Sequence, residues 1–216
     1  GEMHHLYPSG YSGSVADAFN WIAGAYRSRF TRVLLGAQFA GEQAVDVKSE
    51  ALVKQSNMPY DMARRDSYGS PVYFGPAAQN QQLACFNAGV PVFAENCYFN
   101  FIHNSTFWSK DHNALPDMID QFLLDVESCR ANTMDLRLPA DASYLLNVRP
   151  DKIQYMATNL GYRFVPTSVT FSNSVSSNGV VQVNSQWKNT GFGRFPNNRP
   201  SWNGKYKIAY ALLNTV

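Results

Sequence analysis

Two rhythms of apolar positions alternate along the first two-thirds of the chain. Ser14, with Asp17 three residues on, forms a variant of the capping box, and Val15, Phe19, Ile22 and Tyr26 then fall on one helical face. A short apolar run at 32–39 predicts a strand. The stretch 43–56 has a weak helical pattern and is broken by Asn57-Met58-Pro59. Residues 76–88 predict a second clear helix, closed by Gly89, and 89–95 is the strongest strand pattern, ending in Glu95. An aromatic-rich loop covers 96–113. A helix follows at 114–129, with Leu115, Ile119, Phe122 and Val126 on one face, then a strand at 133–138. A last helix starts near Pro150, suited to a first turn, and runs to Gly161, suited to a C-terminal cap. Strands and helices alternating at this spacing predict a parallel α/β architecture.

Near position 162 the period changes to two. Val181, Val183 and Trp187 alternate with Gln182, Asn184, Gln186 and Lys188, and Tyr206, Ile208, Tyr210 and Leu212 repeat the pattern. This predicts an antiparallel sheet with one buried face. About four strand–helix units precede this point, whereas a closed (β/α)8 barrel needs roughly 250 residues. An immunoglobulin-like sandwich needs roughly 100, more than the stretch from 162 onward provides. The expected fold is therefore α/β plus all-β. Residues 1–161 would be the C-terminal half of a (β/α)8 barrel, and 162–216 the start of an immunoglobulin-like antiparallel β-sandwich. The remainder of the polypeptide is the expected partner that completes both.

Composition narrows the function. The chain is 45% apolar and only 16% charged, with a formal charge of +2 and no block of like charge. This excludes a disordered or coiled-coil protein and gives no electrostatic footprint for nucleic acid. No apolar run approaches the roughly 18 residues of a membrane span. Asn104-Ser105-Thr106 is an N-glycosylation sequon, and the chain is rich in Asn, Ser, Tyr and Phe, as secreted carbohydrate-handling proteins are. An extracellular or cell-surface location is expected. Of the three cysteines, Cys85 and Cys129 fall in the last turns of neighbouring helices. If a disulfide forms, it should join these two at the bottom of the barrel, leaving Cys97 near the mouth.

Two carboxylates draw attention by position. Glu95 ends the strongest strand, and Glu2 stands in Gly1-Glu2-Met3-His4-His5 before a loop and helix. Catalytic groups of parallel barrels sit at the C-terminal ends of strands, and carboxyl groups about 5–5.5 Å apart support glycoside cleavage with retention. Arg65 is placed to pair with a carboxylate, Glu95 being the candidate, and Asp66 either orders its own loop or grips sugar hydroxyls. His4 lines the same expected mouth. Glu2, His4 and His5 lack a distant third ligand set, so no metal is expected. No phosphate loop, Gly-x-Ser-x-Gly elbow or Cys-x-x-Cys is present, and no cofactor is expected. The loop after Glu95 carries Tyr98, Phe99, Phe101, His103, Phe107, Trp108 and His112. Most should pack over the rim, with Tyr98 and Trp108 the candidates for stacking on sugar rings.

Gly1-Glu2, Arg64-Arg65-Asp66-Ser67-Tyr68-Gly69-Ser70, Val92-Phe93-Ala94-Glu95, Leu160-Gly161-Tyr162-Arg163-Phe164-Val165 and Trp187-Lys188-Asn189-Thr190-Gly191 occur in this order. In this the chain resembles an uncharacterised extracellular family with a glycoside-hydrolase-like barrel followed by a β-sandwich. The resemblance to clan A retaining glycosidases implies Glu2 as acid/base and Glu95 as nucleophile, acting on a polysaccharide. The chain departs from the clan pattern in having Gly1 where Asn precedes the acid/base, and no aromatic in 133–138. Those departures keep a second reading open, a non-catalytic carbohydrate-binding or structural surface glycoprotein with a degenerate barrel. A metal-dependent hydrolase using His4 and His5 is a third.

Overall fold

The computed structural model describes residues 12–13, 15–39, 61–70, 74–96, 115–136, 138–174, 176, 178–199, 201–211 and 213. Helix α1 spans Val15–Arg29. Strands β1 (Gly36–Phe39), β2 (Met62–Tyr68), β3 (Val92–Asn96) and β4 (Thr133–Met134) form a four-stranded sheet in that order. Every neighbouring pair in it is parallel. Helix α2 (Pro76–Asn87) joins the end of β2 to β3, and α3 (Leu115–Ser128) leads into β4. Helices α4 (Pro139–Val148) and α5 (Pro150–Asn159) follow. The α/β class and the parallel sheet expected from the sequence are present. So is a separate antiparallel pair, β5 (Phe164–Phe171) with β6 (Val183–Asn189).

The helix ends show how the chain turns into its strands. At the end of α2, Gly89 N–H donates to Phe86 O and Val90 N–H to Cys85 O, both at 3.0 Å, the pattern of a Schellman cap. Gly89 takes the required left-handed conformation at φ +82°. The end of α3 repeats the pattern with Arg130 in that position, φ +54°, and Ala131 N–H donating to Val126 O at 3.1 Å. Pro150 opens α5, and Gly161 follows its last turn at φ +72°. A side chain at Gly161 would meet Asn132 O at 3.0 Å.

Four expectations need correction. The strand predicted at 32–39 is regular only from Gly36. The run 133–138 is a two-residue strand, because Pro139 opens α4, a helix the periodicity did not reveal. Asp66, expected to order its own loop or grip sugar hydroxyls, lies within the central strand β2. The antiparallel sheet has no buried face among the described residues: β5 is exposed along its length, and Phe171 and Trp187 are exposed. In addition, the 206–211 stretch, alternating like a strand, lies beside β6 as irregular chain.

Side chains of the parallel sheet divide by face. Ala37, Ala63, Val92 and Ala94 are buried with Ile119, Phe122, Leu123 and Val126 of α3 and Cys85 of α2. On the other face Gly36, Gln38 and Thr133 are exposed, and Met62, Arg64 and Phe93 are half-buried. The described helices thus cover one face only. Between Arg65↔Ala94 and Tyr68↔Asn96 the register shifts, so that Asp66 and Ser67 together oppose Glu95. This is a β-bulge, with Ser67 at φ +62°. It returns Tyr68 to the helix-covered side, where its ring stacks on Phe74 with centroids 3.8 Å apart.

Residues after β6 fold back beneath the starts of the parallel strands. Asn132 clamps Arg194 in both directions: its Nδ2 donates to Arg194 O at 2.7 Å, and Arg194 N–H donates to its Oδ1 at 3.1 Å. The Arg194 guanidinium donates to Phe86 O at 2.5 Å and lies 4.2 Å from the Phe86 ring centre. Asp61, immediately before β2, is fully buried. It pairs with Arg27 of α1, accepts from Leu35 N–H at 2.8 Å, and accepts from Ser201 N–H at 3.2 Å and Ser201 Oγ at 2.5 Å. Replacing Asp61 by Ala leaves Arg27 and these donors without their acceptor. Chemical denaturation is expected to show a loss of about 3 kcal/mol or more, the scale for removing one partner of a buried pair. Asp151→Ala, on the exposed first turn of α5, should change stability by less than about 0.5 kcal/mol.

Candidate active site

Arg64 and Glu95 meet on the face of the sheet that the described helices leave open. The register pairs Gln38 with Arg64 and Arg64 with Phe93, and Glu95 lies two residues beyond Phe93 on the same side. The Arg64 guanidinium bridges to Glu95 Oε2 and donates to Gln38 Oε1. Glu95 is buried, at 5% exposure, while Arg64 remains partly open. A charge this poor in water needs a partner, and the guanidinium supplies one. Asn96 N–H donates to Asp135 Oδ1 at 2.9 Å, tying the end of β3 to the chain after β4. Asn96 itself is fully buried, with both side-chain polar atoms unpaired.

The pairing expected of Arg65 is made by Arg64. Side chains alternate along a strand, so Arg65 points to the helix-covered face, in register with Ala94, and donates to Gln81 Oε1 of α2 at 3.3 Å. Asp66 sits at the bulge opposite Glu95, half-buried, within β2. Glu2, His4, Tyr98, Asn104 and Trp108 lie outside the described residues, as do His5 and Cys97. Of the expected constellation, the structure therefore brings Arg65 and Asp66 to the neighbourhood of Glu95, with Arg65 on the reverse side. Sequence reasoning missed Gln38 and Arg64. The adjacent Arg64-Arg65 pair was the signal, since one of two neighbours in a strand must face each way.

Behind the sheet lies a buried polar group that the sequence did not suggest. Asp125 accepts from Gly69 N–H at 3.0 Å, Gln79 Nε2 at 2.9 Å and Gln121 Nε2 at 2.8 Å. Burial nevertheless pushes its carboxyl above the ordinary range. Gly69, at φ +80°, admits no side chain here, since a Cβ would lie 2.8 Å from Phe122 Cβ. The Tyr68 hydroxyl stands 3.5 Å from Gln82 Oε1. The expected Cys85–Cys129 disulfide is not formed: both are buried thiols. Among the described residues no group of three or more His, Cys, Asp or Glu side chains could hold a metal ion. Nor is any described helix long and apolar enough to cross a membrane.

Comparison of the chain with family models, with curated proteins and with solved structures finds no match.

Burial, and then Asp125, push the Cys129 thiol up to about 12. Burial and the neighbouring thiol raise the Tyr68 phenol as well. Raised folded values mean that the unfolded chain releases these protons first. The contribution is complete below the unfolded thiol's value, near pH 9, and is lost as the pH rises toward 12. Denaturant midpoints measured from pH 8 to 11 should fall with pH. The fall should be shallower in Cys129→Ala by up to about 1.4 kcal/mol per pH unit.

Proposed function

We propose that this protein is a glycoside-hydrolase-like extracellular protein acting on a polysaccharide, with Glu95 as nucleophile and Glu2 as acid/base. The observation that carries the reading is Glu95 itself, a buried carboxylate at the C-terminal end of a parallel strand, on the face its helices leave open. The bulge of Asp66 and Ser67 opposite it adds support, since bulges cluster beside active sites, where they re-aim side chains. Strand order supports a barrel: β1 to β4 are neighbours in chain order, with the core helices on one side. A doubly wound sheet reverses its order and carries helices on both faces. In the full reading these strands belong to the C-terminal half of a (β/α)8 barrel, and β5 and β6 begin an immunoglobulin-like sandwich. Mechanistically, Glu95 attacks the anomeric carbon while Glu2 protonates the leaving oxygen. Water, deprotonated by Glu2, then releases the sugar. Arg64, itself bonded to Gln38, holds the Glu95 carboxylate in place.

A second reading, a carbohydrate-binding or structural surface glycoprotein without catalysis, is favoured by one feature. Arg64 already occupies Glu95 Oε2, one of the two oxygens from which attack could come. Release of reducing ends from neutral polysaccharides separates the two readings. In the catalytic one, Glu95→Gln and Glu2→Gln each lower the rate by at least about 100-fold, the scale of a lost acid–base group. A rate unaffected by either substitution removes that residue from the mechanism, and absence of turnover by the unaltered chain selects the binding reading.

A further inference from the structure

The antiparallel pair carries a groove of its own. Its register shifts between Pro166↔Trp187 and Ser168↔Gln186, so Thr167 is an extra residue on β5. Beyond the shift, Ser168, Thr170, Asn184 and Gln186 share one face of the hairpin, and all four are exposed. Along the flank of β6 run Ile208 and Tyr210, both about half exposed. Tyr210 is held there by a hydrogen bond between its hydroxyl and Ser185 Oγ, and Ser185 Oγ also accepts from Trp187 Nε1 at 2.8 Å. These elements enclose a groove of about 640 Å³, within the range of roughly 300–1,000 Å³ usual for ligand sites.

The lining selects a chemical class. Ser168, Thr170, Asn184 and Gln186 supply hydroxyl and amide groups that both donate and accept, and among the described residues no charged side chain lines the groove. A phosphorylated or carboxylated ligand would find no counter-charge. A peptide strand adding to a sheet bonds the main chain of an edge, whereas this lining presents side-chain hydroxyls and amides. Sugar hydroxyls, each a donor and an acceptor, match the hydroxyl–amide row, while the C–H face of a sugar ring matches an exposed aromatic such as Tyr210. We propose that this groove is a binding site for a neutral polysaccharide chain. It lies on a different sheet from Glu95 and deepens the carbohydrate reading by giving the second sheet a substrate-holding role. The class of ligand follows from the groove, and binding here does not depend on turnover at Glu95.

Affinity electrophoresis of the full chain through native gels containing soluble xylan, laminarin or mannan tests the site. Gels with dextran sulfate and with gelatin serve as charged and peptide comparisons. Retardation is expected in at least one neutral polysaccharide, and it should survive roughly 0.5 M NaCl because no ion pair is involved. Asn184→Ala with Gln186→Ala should weaken it about tenfold, in line with the loss of two hydrogen-bonding side chains. Tyr210→Phe, which keeps the ring and loses the bond to Ser185, should weaken it less than Tyr210→Ala. Thermal unfolding of each variant confirms that the fold is kept, and Asp151→Ala, on the exposed first turn of α5, should be retarded like the unaltered chain. Retardation with no turnover leaves the groove standing while the catalytic reading fails. The proposal is overturned by retardation in none of the neutral gels, by retardation only in dextran sulfate or gelatin, or by retardation that the groove substitutions leave unchanged. Loss of retardation in Glu95→Gln alone would likewise assign the binding elsewhere.

Discussion

A carboxylate without solvent is costly to keep, and Asp61 is kept at the point where four parts of the chain meet. Its oxygens receive Arg27 from α1, the amide of Leu35 before β1, and both the amide and hydroxyl of Ser201. Its own N–H donates to Leu35 O at 2.7 Å, so the first two strands start in step. Desolvating an ion costs several kcal/mol, and only a full set of donors offsets it. That requirement makes the arrangement specific: α1, the strand starts and the 201 turn must all be in place together. The Asn132–Arg194 clamp repeats the device two strands away, with neutral groups.

The same strand that begins at Asp61 carries Arg64 on its open face and the bulge near its far end. The strand starts are therefore held by buried hydrogen bonds, while the strand ends carry polar groups such as Asp66 and Glu95. Such a division suits a sheet that has to stay rigid while holding Glu95 in one orientation. Behind the strands, Asp125 binds the turn at Gly69 to α2 and α3, so the chain immediately after the bulge is anchored from the helix side.

Much of this was legible in the sequence, for reasons that can be named. Helices α1, α2, α3 and α5 carry caps, prolines at first turns or apolar stripes, and β3 is an unbroken apolar run ending in Glu95. Strand β2 was hidden because Arg64, Arg65 and Asp66 mask its period, although a central strand with one open face can hold charges on that face. Helix α4 was hidden because Leu136 and Leu138 extend the apparent strand up to Pro139. The exposed hairpin misled for another reason: alternation reports which face is apolar, and burial depends on what covers it. Glu95 was found because strand-end position is a sequence property. Its pairing with Arg64 was not, because assigning a pairing requires the register between strands.

The extra residue at Ser67 makes β2 a strand with two phases. Up to Arg65, odd-numbered side chains face the helices; from Tyr68 on, even-numbered ones do. A regular ladder with Ser67 kept would put Ser67, and not Tyr68, in step with Asn96. Tyr68 would then leave its place against Phe74 and Cys129, and the amide that binds Asp125 would move by one position. The left-handed kink is thus a phase correction that lets an open polar surface and a closed aromatic core share a single short strand, and a regular ladder of the same length would exchange the two.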